Sequence, residues 1–283
     1  MKRIFLFLLA LFLLTTCALQ AQIVCVPNDS VAFSIKMDQL EQMDNAVLEN
    51  PIMAVGNSFM GMPYVEKTLE IGETESLVIN LRGFDCTTYV ENVLAFSLLL
   101  QNKEQQFKNF AKNLETIRYR NGKLDRYPSR LHYFTEWIRN NEQKGLVKNI
   151  TNELGGKEHK KAINFMGTHR ELYPFLADDQ NYHDMLQVEQ ELAKESLCIL
   201  AQDEIENKEN SIRSGDIIAL ATSIKGLDVT HTGFAIEHNG RIHLLHASSS
   251  GSVRITQEPL VDYLKKIKSN IGIIVARPTL LSP

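Results

Sequence analysis

The chain lacks metal-binding spacing. Its eight histidines include no His-Glu-x-x-His, and none of its four cysteines are spaced Cys-x-x-Cys, so the common signatures of a zinc enzyme are missing. A basic stripe is also lacking. Lys and Arg number 30 against 34 Asp and Glu, for a net charge of −4, which argues against nucleic acid as a partner. After Leu14 no apolar run is long enough to cross a bilayer. No internal repeat and no low-complexity tract interrupts the chain, and no residue pattern calls for a cofactor.

What is present starts with "MKRIFLFLLALFLLTTCALQAQ". Lys2 and Arg3 precede an apolar run from Ile4 to Leu14 and then small and polar residues, the order of a secretory signal peptide. Cleavage after Ala21 is expected, giving an exported, periplasmic protein of 262 residues with net charge −6. The alternative is a lipoprotein anchored through Cys17. Cys25, Cys86 and Cys198 survive cleavage, and an odd number in an exported protein suggests one thiol kept free. A Cys25–Cys198 bridge is an option that sequence cannot test for proximity.

Residues 22–55 read as a helical N-terminal segment, because apolar positions in "MDQLEQMDNAVLEN" recur at helical spacing. Gly56, Gly61 and Pro63 break that pattern, and "SLVINL" is a short strand candidate. Asp85 is a good N-cap, and Val90, Val93, Leu94 and Leu98 form a stripe behind it. Cys86 therefore falls in the first turn of a mostly buried helix. Residues 101–210 read as a mainly helical insertion with polar loops, "NELGGKEHKK" being the exposed one. From Asn210 onward, "DIIALAT", "DVTHTGFAIE", "RIHLLHAS", "SVRIT" and "IGIIVARP" read as short antiparallel strands. Helices followed by strands predict an α+β domain over residues 56–283.

Asn239-Gly240 is a strong hairpin signal, because a type I′ turn needs two residues that accept positive φ. With those two as the loop, His238 pairs with Arg241 and Gly233 with His246. His231 and His246 are then diagonal neighbours on one face, about 7–8 Å apart at Cα, with Gly233 leaving room for a third group. His243 pairs with Ile236 and points to the other face.

A cysteine acts as nucleophile only as thiolate, and a helix N-terminus or a nearby imidazolium lowers its pKa. Cys86 has the first feature, and the hairpin can supply the second. His231 is the candidate base and acid, His246 its orienting partner, and the amide at the helix start a donor to a developing oxyanion.

These segments resemble the NlpC/p60 superfamily of papain-like cell-wall cysteine hydrolases. "GFDCTTYV" resembles its nucleophile segment and "GMPY" the turn before it. "RSGDIIAL" resembles its Pro-Gly-Asp strand entry with Ser214 in place of proline, and "HTGFAIEHNGRIHLLHASS" its two histidine strands. The resemblance implies a papain-like fold with the nucleophile helix packed on a small antiparallel sheet. It implies Cys86, His231 and His246 as the catalytic residues, with Tyr64 beside the nucleophile. The long insertion and the absence of a glycine pair after Tyr64 are similar to a subgroup of N-acetylmuramoyl-L-alanine amidases. Its members resemble this chain in "IRYRNGKLDRYPSRLHYFTEWI" and "FMGTHRELYPFL". The activity this resemblance implies is that of an amidase acting on muropeptides, the 1,6-anhydro forms among them. Tyr64, Asp85, Arg118, Arg120, Arg130, His132 and Tyr133 are the candidate substrate-binding residues, those of the insertion for the sugar or the peptide carboxylates. Rival readings are a γ-D-glutamyl–diamino acid endopeptidase, a non-catalytic wall-binding module and a zinc amidase.

Overall fold

The computed structural model describes residues 23–280; the expected leader and Cys17 lie outside the described residues. Helices α1 (Pro27–Glu41), α2 (Asn45–Leu48) and α3 (Pro51–Ser58) come first, then α4 (Cys86–Asn102), α5 (Phe107–Arg118), α6 (Phe134–Gln143), α7 (Phe165–Thr168), α8 (Asp179–Leu192) and α9 (Leu260–Lys265). The strands are β1 (Ile23–Val24), β2 (Leu77–Val78), β3 (Val147–Asn149), β4 (Lys157–His159), β5 (Leu197–Ala201), β6 (Ile217–Thr222), β7 (Val229–His238), β8 (Arg241–Ala247), β9 (Val253–Ile255) and β10 (Asn270–Pro278).

The main sheet is antiparallel throughout, in the order β4-β5-β10-β6-β7-β8-β9, with β3 pairing the far end of β10. Residues 101–210, read from sequence as helices and loops, thus also supply β3, β4 and β5. Those strands are too short, and β4 too polar and exposed, to show an alternating pattern. Side chains alternate across the sheet. Ile217, Ala219, Phe234 and Leu245 face the core shared with the larger helices, while Ile218, Leu220, Ala235 and Leu244 face α9 through Leu260, Val261 and Leu264. The N-terminal segment is held by aromatic packing: Phe33 of α1 lies 5.6 Å from Phe96, 5.3 Å from Phe107 and 5.4 Å from Phe110.

The cysteines Cys25, Cys86 and Cys198 are all free, so no Cys25–Cys198 bridge forms. Cys25 sits exposed beside the small β1–β2 pair, whereas Cys198 lies on β5 of the main sheet. Among the described residues no helix is long and apolar enough to cross a membrane.

Candidate active site

The nucleophile helix starts as a capped helix should. Asp85 Oδ1 accepts from the Thr88 amide at 2.7 Å and from the Thr88 hydroxyl at 2.8 Å, while the Thr88 hydroxyl accepts from the Asp85 amide at 3.0 Å. That cap commits Asp85 to the helix rather than to a substrate, and leaves Cys86 as the first helical residue. The approach to it is fixed from both sides. The segment Pro63–Val65 runs alongside Phe84, with Phe84 donating to Pro63 O at 3.0 Å and Val65 to Phe84 O at 3.0 Å. On its other side Tyr64 donates to Gly251 O at 2.8 Å. A Cβ on Gly83 would lie 2.5 Å from Val65 Cγ2, so only glycine admits this close approach.

The hairpin has the register that its Asn-Gly turn dictates. Pairs run from His238–Arg241 to Phe234–Leu245, with Asn239 and Gly240 at φ of 52° and 75°. His231 and His246 share a face, and His231 Nε2 lies 2.5 Å from His246 Nδ1 with the rings nearly perpendicular at 87°. His243 points the other way, its Nδ1 2.9 Å from Thr256 O. The gap imagined beside Gly233 is not open: a Cβ there would lie 2.6 Å from Leu245 O and 2.8 Å from His246 Cβ. Gly233 lets the strands close until the rings meet. Gly233→Ala is accordingly expected to push His246 off His231 and cut kcat/KM by about a hundred-fold, the usual effect of an ångström-scale misplacement, in a protein that still shows a cooperative melt.

The body of α4 packs on the opposite face of the hairpin, with Tyr89 against Phe234 at 5.8 Å between ring centroids. Cys86 therefore meets β7 where its pairing with β8 has ended. Thr232 on β7 and Thr87, next to Cys86 in α4, lie close enough to the thiol to favour its charged form. The residue before Thr232 is His231, whose Nδ1 has no partner among the described residues once Nε2 is spent on His246. Tyr64 stands close enough to sense the charges of Cys86 and Asp85, and Tyr263 of α9 packs edge-on against His246 at 5.7 Å and also senses Cys86.

The electrostatics correct the sequence reading. The helix start was expected to lower the thiol pKa; instead burial, with the neighbouring Asp85 carboxylate, pushes Cys86 up to about 12, against the smaller pull of Thr232 and Thr87. Burial lowers His231 to about 4, and burial together with His231 and Arg254 lowers His246 to about 3. The resting site is a neutral thiol beside two neutral imidazoles. A base must be unprotonated to act, so a depressed pKa keeps His231 competent further into acid. The acid limb of kcat/KM is therefore expected near pH 4, well below the ordinary histidine value of about 6.5. Initial rates from pH 3 to 8 measure it. Burying the pair as neutral rings also means that stability falls as pH drops from about 6.5 toward 4, because there the unfolded chain binds more protons.

Most of the residues proposed to bind substrate from the insertion are occupied within the fold. Arg118, 2% exposed, pairs with Glu91 at 2.7 Å and donates to Val78 O at 2.6 Å. Arg130 is buried between Glu70 at 2.6 Å and Glu75 at 3.4 Å, over the Tyr127 ring. Tyr133 donates to Glu189 Oε1 at 2.7 Å and accepts from the Met166 amide at 2.9 Å. His132 Nε2 is engaged with Tyr127 O at 3.0 Å, and burial and Arg130 hold the ring well below ordinary histidine basicity. Arg120 pairs with Glu136 at 2.7 Å on the wall of an open groove shared with α6 and α8. The structure thus brings Cys86, His231, His246 and Tyr64 together and turns Arg118, Arg130 and Tyr133 into framework. Sequence reasoning missed Thr232, Tyr263 and Arg254. Thr232 was within reach of the hairpin arithmetic, as the neighbour of His231, but the other two depend on long-range packing. Among the described residues no three His, Cys, Asp or Glu side chains converge as a metal set.

Comparison with known proteins places this geometry in context. The profile of the family described as N-acetylmuramoyl-L-alanine amidase-like matches residues 54–273. An N-acetylmuramoyl-L-alanine amidase structure from Bacteroides uniformis is 36% identical, with a TM-score of 0.78 over 82% of this chain and 99% of that one. A Bacteroides fragilis protein described as a xylanase is 42% identical, with a TM-score of 0.75 over 79% of this chain and 99% of that one. A Legionella pneumophila protein at 22% identity shares the fold, with a TM-score of 0.66 over 89% of this chain and 94% of that one. No curated protein matches.

Proposed function

Since the chain belongs to the N-acetylmuramoyl-L-alanine amidase-like family, with the peptidoglycan amidase-like hydrolytic role that membership carries, we propose that it is a cysteine amidase. In this reading it cleaves the amide between the muramic-acid lactyl group and L-alanine in muropeptides, 1,6-anhydro forms included. We further propose a papain-like α+β arrangement of the NlpC/p60 type, and export to the periplasm by the leader of residues 1–21. One observation carries the mechanism. The Cys86 thiol lies within the influence of Thr232, the residue next to His231, and His231 Nε2 is already held by His246 at 2.5 Å.

In the proposed reaction the thiol proton passes to His231 Nδ1 as sulfur attacks the lactyl carbonyl carbon. The raised thiol pKa makes proton removal concurrent with attack, because a free thiolate is scarce at neutral pH. The developing oxyanion is met by the Cys86 amide at the start of α4 and by the Tyr64 hydroxyl, which burial and neighbouring negative charge keep protonated with a pKa near 12. Collapse breaks the C–N bond, and His231 returns its proton to the alanine nitrogen. Water, deprotonated by His231, then opens the thioester to free acid and thiol. His246 Nδ1 holds the ring of His231 throughout.

The xylanase description of the Bacteroides fragilis relative has less support in this site. Glycosidases work through two carboxyl groups flanking the scissile bond, whereas here the groups gathered are a thiol and two imidazoles and Asp85 serves as a helix cap. Digestion of a defined disaccharide tetrapeptide, with the products weighed by mass spectrometry, tests the choice of bond. An intact free stem peptide supports the amidase. A released dipeptide fragment overturns it in favour of a γ-D-glutamyl endopeptidase.

A further inference from the structure

Arg254 stands directly opposite His246 across the β8–β9 pair. Opposed residues of an antiparallel pair carry their side chains on one face with Cβ atoms about 4.5–5.5 Å apart. Its charge reaches the site, since it depresses the basicity of His246 and acts on Tyr263, whose ring leans on His246. Yet Arg254 is exposed, and among the described residues it has no carboxylate within ion-pair distance. Its side-chain bond is to the neutral hydroxyl of Ser250, which in turn meets Ser248 at 2.9 Å. Contrast Arg277, held by both oxygens of Asp216 at 2.7 Å, or Arg118 on Glu91. A solvated cation beside a ring that must share a proton opposes catalysis in the free protein, and an incoming anion removes that opposition.

The side of the site is informative as well. A general acid stands on the leaving-group side of the bond it helps to break. The imidazole pair therefore marks where the peptide departs, and Arg254 lies on the same face as His246.

We propose that Arg254 is a specificity determinant that binds a free carboxylate of the departing stem peptide, the α-carboxylate of its second residue being the first one down the chain. This inference rests on the amidase reading above, in which the stem peptide is the leaving group. Recognition is by a planar guanidinium that can take both carboxylate oxygens, with Ser250 relinquishing its bond.

Two matched muramoyl tripeptides test it: one with D-glutamate at the second position carrying a free α-carboxylate, the other with that group as carboxamide. The wild-type protein is expected to favour the carboxylate in kcat/KM by about ten- to a hundred-fold, the usual worth of a charge-assisted bond. Arg254→Gln should bring the carboxylate substrate down to the carboxamide level, and Arg254→Lys should keep part of the preference. Equal rates on the two substrates for the wild-type protein, or an undiminished preference in Arg254→Gln, overturn the assignment. Failure of the wild-type protein to split the lactyl amide of either substrate overturns the amidase reading itself, and this inference with it.

Discussion

Replacing Cys86 by alanine is expected to lower kcat on a muropeptide by at least about 10⁴-fold, the scale lost when the nucleophile of a coupled catalytic group is removed. The fold should be unaffected. Cys86 is the first residue of α4, whose start is fixed by the Asp85–Thr88 capping box rather than by the thiol, and alanine is the best helix former. The thiol contributes little that alanine would miss in packing, so the melting temperature should move by no more than a few degrees. His231→Ala should approach the same loss, because the other base near the sulfur, the Asp85 carboxylate, is engaged in capping α4. His246→Asn should cost less, since an amide can still accept from or donate to His231 Nε2 and hold the ring. That ordering, Cys86 and His231 severe and His246 milder, is specific to a thiol–imidazole mechanism. A wall-binding module without chemistry predicts no loss from any of the three.

The second large effect is on stability. Glu91 and Arg118 are each 2% exposed and bonded at 2.7 Å, and Arg118 also holds Val78 O of β2. Burial drives the Glu91 carboxyl pKa up, and Arg118 is the main influence pulling it back. Removing one partner of a buried pair leaves the other charge without compensation, at a cost of about 3–5 kcal/mol. Arg118→Ala is therefore expected to lower the melting temperature by about 10 °C or more, with KM for the folded fraction unchanged. Had Arg118 bound the substrate, KM would rise and stability would hold. Thermal denaturation alongside steady-state kinetics separates the two.

These residues also show where sequence reasoning reaches its limit. The hairpin register was legible because Asn239 and Gly240 both adopt positive φ, and a two-residue turn leaves no freedom in the strand pairing beyond it. The start of α4 was legible because capping is local, with Asp85 and Thr88 three residues apart. Arg118, Arg130 and Tyr133 were misjudged for the opposite reason. Their partners, Glu91, Glu70 and Glu189, lie 27, 60 and 56 positions away, and an arginine in a polar stretch carries no mark of burial. The thiol pKa failed in the same manner: the helix start is visible in sequence, but the burial that outweighs it is not. Tyr263 and Arg254 reach the site through α9 and β9, whose placement depends on packing and on a loop from Ser248 to Ser252 that no two-residue turn rule governs.

In the proposed mechanism the acyl group passes through the Cys86 sulfur, and competition by an added nucleophile during turnover tests this most directly. With hydroxylamine present, a muramoyl thioester partitions between water and the amine. This mechanism predicts N-acetylmuramoyl hydroxamate rising with hydroxylamine concentration, hydroxamate and acid together equalling the stem peptide released. Stem peptide released with only the free acid formed, even at molar hydroxylamine, would mean that water attacks the amide directly and would contradict the proposed role of Cys86.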